Sequence, residues 1–275
     1  LRPANSHLPQ RLLAKLRAYD VLTNKAAPEM LRRLLDLVRE LEAAEQPVRI
    51  YPDAERWIEE QLIRSHLKTK TASIRENPDA HPLRTRLLKA ELLPYQLDGI
   101  AFAAGAGRAI LADDMGLGKT IQGIGVAALL KEEANIERVL VICPASLKAQ
   151  WQAEIAKFSD LGSTQVLGTA AERAAQYTNS GFFTICNYEQ VMRDILHIES
   201  QNWDLIILDE GQRIKNWEAK TSRVVKGLRS PFALVLSGTP MENRLDELYS
   251  VVEFIDDRRL GPAYRFFSKH RVVNT

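Results

Sequence analysis

From Leu92 onward, short runs of almost unbroken apolar residues alternate with stretches of helical periodicity, and no other feature of the 275-residue chain narrows its fold as far. The runs are 109–112 (AILA), 138–143 (RVLVIC), 182–187 (FFTICN), 204–208 (DLIIL) and 232–236 (FALVL). A strand with one wet face alternates apolar and polar residues. A run without that alternation must be covered on both faces, as in a parallel sheet flanked by helices. Thr120–Lys131 and Ser146–Phe158 supply two of the crossover helices. The pattern predicts an α/β, doubly wound, mostly parallel sheet with helices on both faces, whose ligands gather at the C-terminal ends of the strands.

Before Leu92 the texture differs. Leu31, Leu34, Leu35, Val38 and Leu41 recur at helical spacing after Pro28, and Asp53 to Leu67 predicts a second helix presenting Trp57, Ile58 and Leu62. Residues 1–66 are therefore expected to be a small helical N-terminal region, with a surface that can take a protein partner. Residues 67–91 hold Asn77-Pro78 and His81-Pro82 and carry Lys68, Lys70, Arg75, Arg84, Arg86 and Lys89, so they read as a basic linker. Residues 92–275 form the expected α/β lobe. The stretches 99–107 and 123–130 fall short of the roughly 20 apolar residues of a spanning helix, and no membrane span is expected. Cys143 and Cys186 lie inside apolar runs and read as buried, inert thiols. Two cysteines build no disulfide framework, which suits a cytoplasmic (nucleoid-associated) or nuclear compartment. The bare ends, Leu1 and Arg271 to Thr275, read as cuts in a longer protein.

The strand end at 109–112 runs into Asp113-Asp114-Met115-Gly116-Leu117-Gly118-Lys119-Thr120 and then a helix. Glycines at 116 and 118 let backbone N–H groups curl inward toward phosphate oxygens, and the helix adds its positive end. In this reading Lys119 reaches the β- and γ-phosphates and the Thr120 hydroxyl ligates Mg²⁺. The usual first glycine of such a loop is Asp113 here. Ninety residues beyond Lys119, the strand 204–208 delivers Asp209 and Glu210 to its C-terminal end. Asp209 is placed to hold Mg²⁺, directly or through water, and Glu210 to polarise an attacking water. His7, His66, His81, His197 and His270 show no metal-ligand spacing, and no serine sits in a nucleophile elbow. Trp57, Trp151, Trp203 and Trp217 read as packing residues.

Taken together, Asp113–Thr120 (DDMGLGKT), Asp209–Asn216 (DEGQRIKN) and Leu236–Asn243 (LSGTPMEN) resemble motifs of the SWI/SNF-type DNA translocases of helicase superfamily two. Leu93–Gln96 (LPYQ) with Gly99 is similar to the family's adenine-reading element, and Pro144, Ser146, Leu147, Trp151 and Glu154 match its P-x-S-L-x-x-x-W-x-x-E segment. The resemblance covers 92–270 and implies the first RecA-like ATPase lobe, a P-loop NTPase sheet. It implies ATP and Mg²⁺ as cofactors, with Tyr95 and Gln96 at the adenine and Asp114, Met115, Gly116, Leu117, Gly118, Lys119 and Thr120 around the phosphates. Lys119, Asp209 and Glu210 would be the catalytic residues. Gln212, Ser237, Gly238 and Thr239 would couple nucleotide state to DNA grip. Pro144, Ser146, Lys148, Asn187 and Tyr188 would lie along double-stranded DNA.

Three departures stand out. Gly211 and Gln212 occupy the last two places of a motif that is usually Asp-Glu-Ala-His, and Leu93 replaces a common arginine. No second lobe with its arginine fingers precedes Thr275. The isolated chain is therefore expected to be nearly inactive as an ATPase. Two readings stay beside the translocase: a nucleotide-gated DNA-binding or scaffold module without turnover, and a strand-separating helicase with the same ATP site.

Overall fold

The computed structural model describes residues 28–44, 51–114, 116–214, 220–238 and 245–256. By internal packing the chain divides into Leu1–Lys68 and Thr69–Thr275. In the first unit, helix α1 (Pro28–Ala43) buries Leu31, Leu34, Leu37, Val38 and Leu41. Leu31 and Leu34 meet Ile58 of helix α2 (Pro52–Glu76), with Leu35, Trp57 and Leu62 packed around them. Residues 1–27 of the expected helical region lie outside the described residues.

The stretch 67–91 differs from the expected linker. Helix α2 runs on to Glu76, followed by the short helix α3 (Leu83–Arg86), and Ile74, Leu83, Leu87, Leu88 and Leu92 are buried. From Lys70 onward its cations are paired with acids within the same unit, Thr69–Thr275: Lys70 with Glu133, Arg75 with Asp98, Arg84 with Glu91, Arg86 with Glu132 and Lys89 with Asp160. Leu67, Thr71 and Ile74 fall at helical spacing on one face, but Lys68, Thr69, Lys70 and Thr71 itself dilute the apolar signal.

Among the described residues, the second unit is built on six parallel strands. These are β1 (Arg108–Leu111), β2 (Val139–Cys143), β3 (Ser163–Gln165), β4 (Phe183–Asn187), β5 (Leu205–Leu208) and β6 (Phe232–Leu236), in the spatial order β1-β6-β5-β2-β4-β3. Five answer the five apolar runs. The sixth, β3, is the polar edge strand Ser-Thr-Gln, which carries no hydrophobic signature, and none of its three residues is fully buried. Helices α4 (Pro94–Ala106), α5 (Lys119–Ala134), α6 (Lys148–Phe158), α7 (Ala170–Thr178), α8 (Tyr188–Glu199), α9 (Lys220–Gly227) and α10 (Leu245–Ile255) accompany these strands among the described residues.

Alternate strand residues face opposite layers, so each strand feeds two cores. Leu140, Ile142, Ile206, Leu208, Ala233 and Val235 join Val191 and Ile198 of α8, Val225 of α9 and Val251 and Phe254 of α10. On the other face α5 lies so close that a Cβ on Gly123 would come within 3.1 Å of the Trp151 ring and 3.3 Å of Leu236. Arg108, an odd first residue for a buried strand, donates to the carbonyls of Ile255 (2.6 Å), Phe254 (2.7 Å) and Ser230 (2.7 Å). It thereby satisfies the last turn of α10, where backbone carbonyls lack partners and a cation is favoured.

Candidate functional site

The site grows from the C-terminal ends of β1, β6 and β5, three adjacent strands. Leu111 pairs with Leu236, and Leu208 with Val235, so the phosphate-loop strand, the Ser237-Gly238 end and the acidic pair share one edge. The backbone N–H of Ser237 donates to Leu111 O at 3.0 Å, and its side chain is buried.

The loop after β1 turns through Gly116 (φ +86°) and Gly118 (φ +76°), left-handed conformations that favour glycine. Its chain winds round the Lys119 ammonium, which donates to the carbonyls of Asp113 and Asp114 at 2.8 Å each. Thr120 follows in the first turn of α5. Asp113, standing where a glycine is usual, has its carboxylate held by Gln122 Nε2 at 2.9 Å. Gln122 is fully buried, and a Cβ on Gly99 would sit 2.4 Å from its Oε1. The glycine after Pro-Tyr-Gln is thus the gap into which the Gln122 amide fits.

Tyr95 and Gln96, expected at the adenine, are joined to this loop. The Tyr95 hydroxyl and Gln96 Nε2 both donate to Leu117 O, at 3.2 and 3.3 Å. Gln96 Oε1 accepts the Leu93 N–H at 3.0 Å, closing the first turn of α4. The amide keeps one N–H and one lone pair for a ligand. Leu93, Tyr95 and Leu117 leave exposed apolar surface at the mouth of the loop.

At the end of β5, Asp209 is 8% exposed. Its Oδ1 accepts the Glu210 N–H at 2.8 Å, its Oδ2 accepts the Trp151 indole N–H at 2.8 Å, and its carbonyl accepts the Tyr188 hydroxyl at 2.7 Å. Burial pushes its carboxyl up from the ordinary aspartate range, opposed by those two bonds to its side chain; Glu210 raises it further and the Lys119 charge pulls it down. Glu210 itself adopts φ +51°, a left-handed conformation uncommon for a side-chain-bearing residue and frequent at functional sites. Gly211 is explained by space, because a Cβ there would stand 2.2 Å from Val235 Cγ1. Gln212 lies in the turn Gly211–Ile214, its side chain outside the described set; Met115 and Thr239 lie outside the described residues.

Mg²⁺ takes few protein oxygens and keeps several waters. The buried Asp209 carboxylate, with a second acid beside it, fits such a cation, and the Thr120 hydroxyl could supply another oxygen. Among the described residues no cluster of three or more His, Cys, Asp or Glu forms a rival metal site.

Three of the five residues expected along DNA, Pro144, Lys148 and Tyr188, are buried in the structure. Lys148 is 3% exposed and donates to Val166 O and Gln190 Oε1, because the phase of α6 turns it inward with Trp151 and Ile155. Desolvation lowers its pKa. Tyr188 is buried beneath Asp209. Pro144 is also buried, Ser146 is exposed, and half-buried Asn187 caps α8 by accepting the Gln190 N–H at 2.8 Å. Sequence reasoning missed what Trp151 and Gln122 bond. The signal for the first was chemical: a buried indole N–H requires an acceptor. Both thiols are buried, Cys186 pushed up to about 12 by desolvation and Cys143 raised likewise. No helix among the described residues is long and apolar enough to cross a membrane.

A parallel sheet with a glycine-turned phosphate loop at one strand end and an acidic pair two strands away is a RecA-like, P-loop nucleotide-binding lobe. The profile of the SNF2-related domain matches residues 95–274, and the chain belongs to that family. It is 33% identical over 228 residues to a TATA-binding protein-associated factor of Arabidopsis thaliana, covering 77% of this chain and 10% of that protein. It is 33% identical over 206 residues to the DNA repair and recombination protein RAD54B of Gallus gallus, covering 67% of this chain and 22% of that one. The Sulfolobus solfataricus SWI2/SNF2 ATPase core, solved in complex with double-stranded DNA, superposes with a TM-score of 0.62 at 35% identity, over 66% of this chain and 39% of its own. The chain thus spans a minor part of each relative.

Proposed function

We propose that the chain binds Mg·ATP at the β1–β6–β5 edge as the first lobe of a double-stranded DNA translocase. In this reading hydrolysis requires a second RecA-like lobe closing over the nucleotide. The observation that carries it is the convergence, at the C-terminal edge of three adjacent strands, of the Gly116–Lys119 loop after β1 and the Asp209–Glu210 pair after β5, about 90 residues further along the chain. Lys119 moves from the loop carbonyls to the β- and γ-phosphates, Thr120 and Asp209 hold the cation, and Glu210 orients the attacking water. A cation held by Thr120 and Asp209 would supply charge neutralisation on the phosphates. Tyr95 and Gln96 receive the adenine while gripping Leu117, so base recognition and loop shape are linked through one carbonyl.

Duplex DNA, the ligand of the Sulfolobus solfataricus core, is proposed to run past the exposed Ser146 turn and Asn187, at the ends of β2 and β4. The relatives and the DNA partner together support a nuclear or nucleoid setting. The deciding experiment is calorimetric titration with Mg·ATP of the chain and of Lys119→Ala. Removing the charge nearest the phosphates is expected to weaken binding at least tenfold, the equivalent of about 1.4 kcal/mol. Equal affinities would remove the assignment.

A further inference from the structure

Asp209 is held from both faces of the sheet. Its carboxylate points toward the α5–α6 layer and takes the Trp151 indole N–H; its carbonyl takes the Tyr188 hydroxyl from the α8 layer. Trp151 is 1% exposed and Tyr188 2%, so neither bond is shared with bulk water. Trp151 stands one turn into α6, directly after the Ala145–Leu147 turn, and Tyr188 opens α8 at the end of β4. These two segments are the ones expected beside DNA, and β5, β2 and β4 are consecutive in the sheet.

We propose that Trp151 and Tyr188 are positioning residues that fix the Asp209 carboxylate and thereby set the divalent-cation affinity of the nucleotide site. The proposal rests on the reading of Asp209 as a Mg²⁺ ligand. A carboxylate at the end of a strand has two free side-chain torsions. The Glu210 N–H holds one oxygen, and the indole N–H holds the other, so the plane of the carboxylate is determined by donors on two separate elements. Tyr188 fixes the main chain from which that side chain springs. Outer-shell donors of this kind typically change metal affinity about 10–100-fold when removed. Neither residue touches the nucleotide in this scheme. Their loss should therefore separate metal affinity from nucleotide affinity.

The test is equilibrium calorimetry of the 275-residue chain with a non-hydrolysable ATP analogue, once in Mg²⁺ and once in EDTA. The quantity read is the gain in affinity that Mg²⁺ confers. Trp151→Phe is expected to bind the analogue in EDTA as the unmodified chain does, but to lose about tenfold of the Mg²⁺ gain. Tyr188→Phe removes a single oxygen and is expected to lose a smaller part; it keeps the test open if Trp151→Phe does not fold. Trp203→Phe is the control, because Trp203 is also buried and donates its indole N–H to Ile198 O, far from the site. It should lower thermal stability without touching the Mg²⁺ gain. An equal Mg²⁺ gain in folded Trp151→Phe, Tyr188→Phe and Trp203→Phe overturns the positioning role and leaves the ATP site standing. An unmodified chain that binds the analogue with no Mg²⁺ gain overturns both.

Discussion

Replacing Gln96 by alanine removes two hydrogen bonds from a residue that is 8% exposed. One joins Oε1 to the Leu93 N–H at 3.0 Å and closes α4; the other joins Nε2 to Leu117 O at 3.3 Å and braces the phosphate loop. At about 0.5–1.5 kcal/mol net for each, the loss is roughly 1–3 kcal/mol. In a domain of this size, about 1 kcal/mol moves Tm by roughly 2–4 °C, so Gln96→Ala is expected to melt roughly 2–12 °C lower. Gln96→Glu divides the two bonds. Its oxygen still accepts from Leu93, but a carboxylate beside the Leu117 carbonyl has no proton to donate. That repulsion raises the folded-state pKa of the introduced acid above its unfolded value. The stabilisation is then present at low pH, where the acid can donate to Leu117, and is lost as pH rises through the folded pKa. The Tm deficit of Gln96→Glu should be small in acid and largest at neutral pH, whereas that of Gln96→Ala should not follow this pattern. Circular-dichroism melts across pH read both. The same variants are expected to lose preference for ATP over GTP, since an amide matches the adenine edge with one donor and one acceptor and guanine inverts the six-position. An unchanged Tm in Gln96→Ala would refute the structural half of this reasoning, and an unchanged ATP-to-GTP ratio the adenine half.

Glu210→Gln should preserve Mg·ATP affinity and abolish turnover in a two-lobe protein, read by calorimetry and phosphate release; lost binding would contradict its role at the water. Because burial raises the Asp209 carboxyl, protons compete with the cation there earlier than at an exposed aspartate, and the Mg²⁺-dependent part of nucleotide affinity should fall on acidification before that of a site built on an exposed aspartate. A profile that holds until an exposed aspartate would itself protonate would oppose that. Gly211→Ala places a Cβ 2.2 Å from Val235 Cγ1 and is expected to cost about 1–3 kcal/mol by overpacking, visible as a lower Tm. Phosphate release by residues 1–275 with duplex DNA should be slow, because a finger supplied across a cleft contributes roughly 10³–10⁵ in related phosphoryl transfers. Robust turnover that vanishes in Glu210→Gln would show that one lobe suffices.

Much of this molecule could be read from its residues in order. Strands buried on both faces announce themselves as unbroken apolar runs, and five of six were visible for that reason. The phosphate loop and the acidic pair were equally legible, since a tight left-handed turn demands glycine at 116 and 118 and a strand end is the natural place for paired acids. These features depend on chemistry within a few residues. What only the tertiary structure decided depends on partners far apart in the chain. Residues 67–91 read locally as a linker, whereas in the structure their cations find acids at Asp98, Glu132 and Glu133 and their leucines are buried. The helical phase that buries Lys148 also carries Trp151 onto Asp209, 58 residues away. Whether a lysine meets solvent or a carbonyl, and which carboxylate an indole finds, follows from how helices lie on the sheet and from the need to pair each buried donor. Local periodicity records that a face is buried, but not what it is buried against.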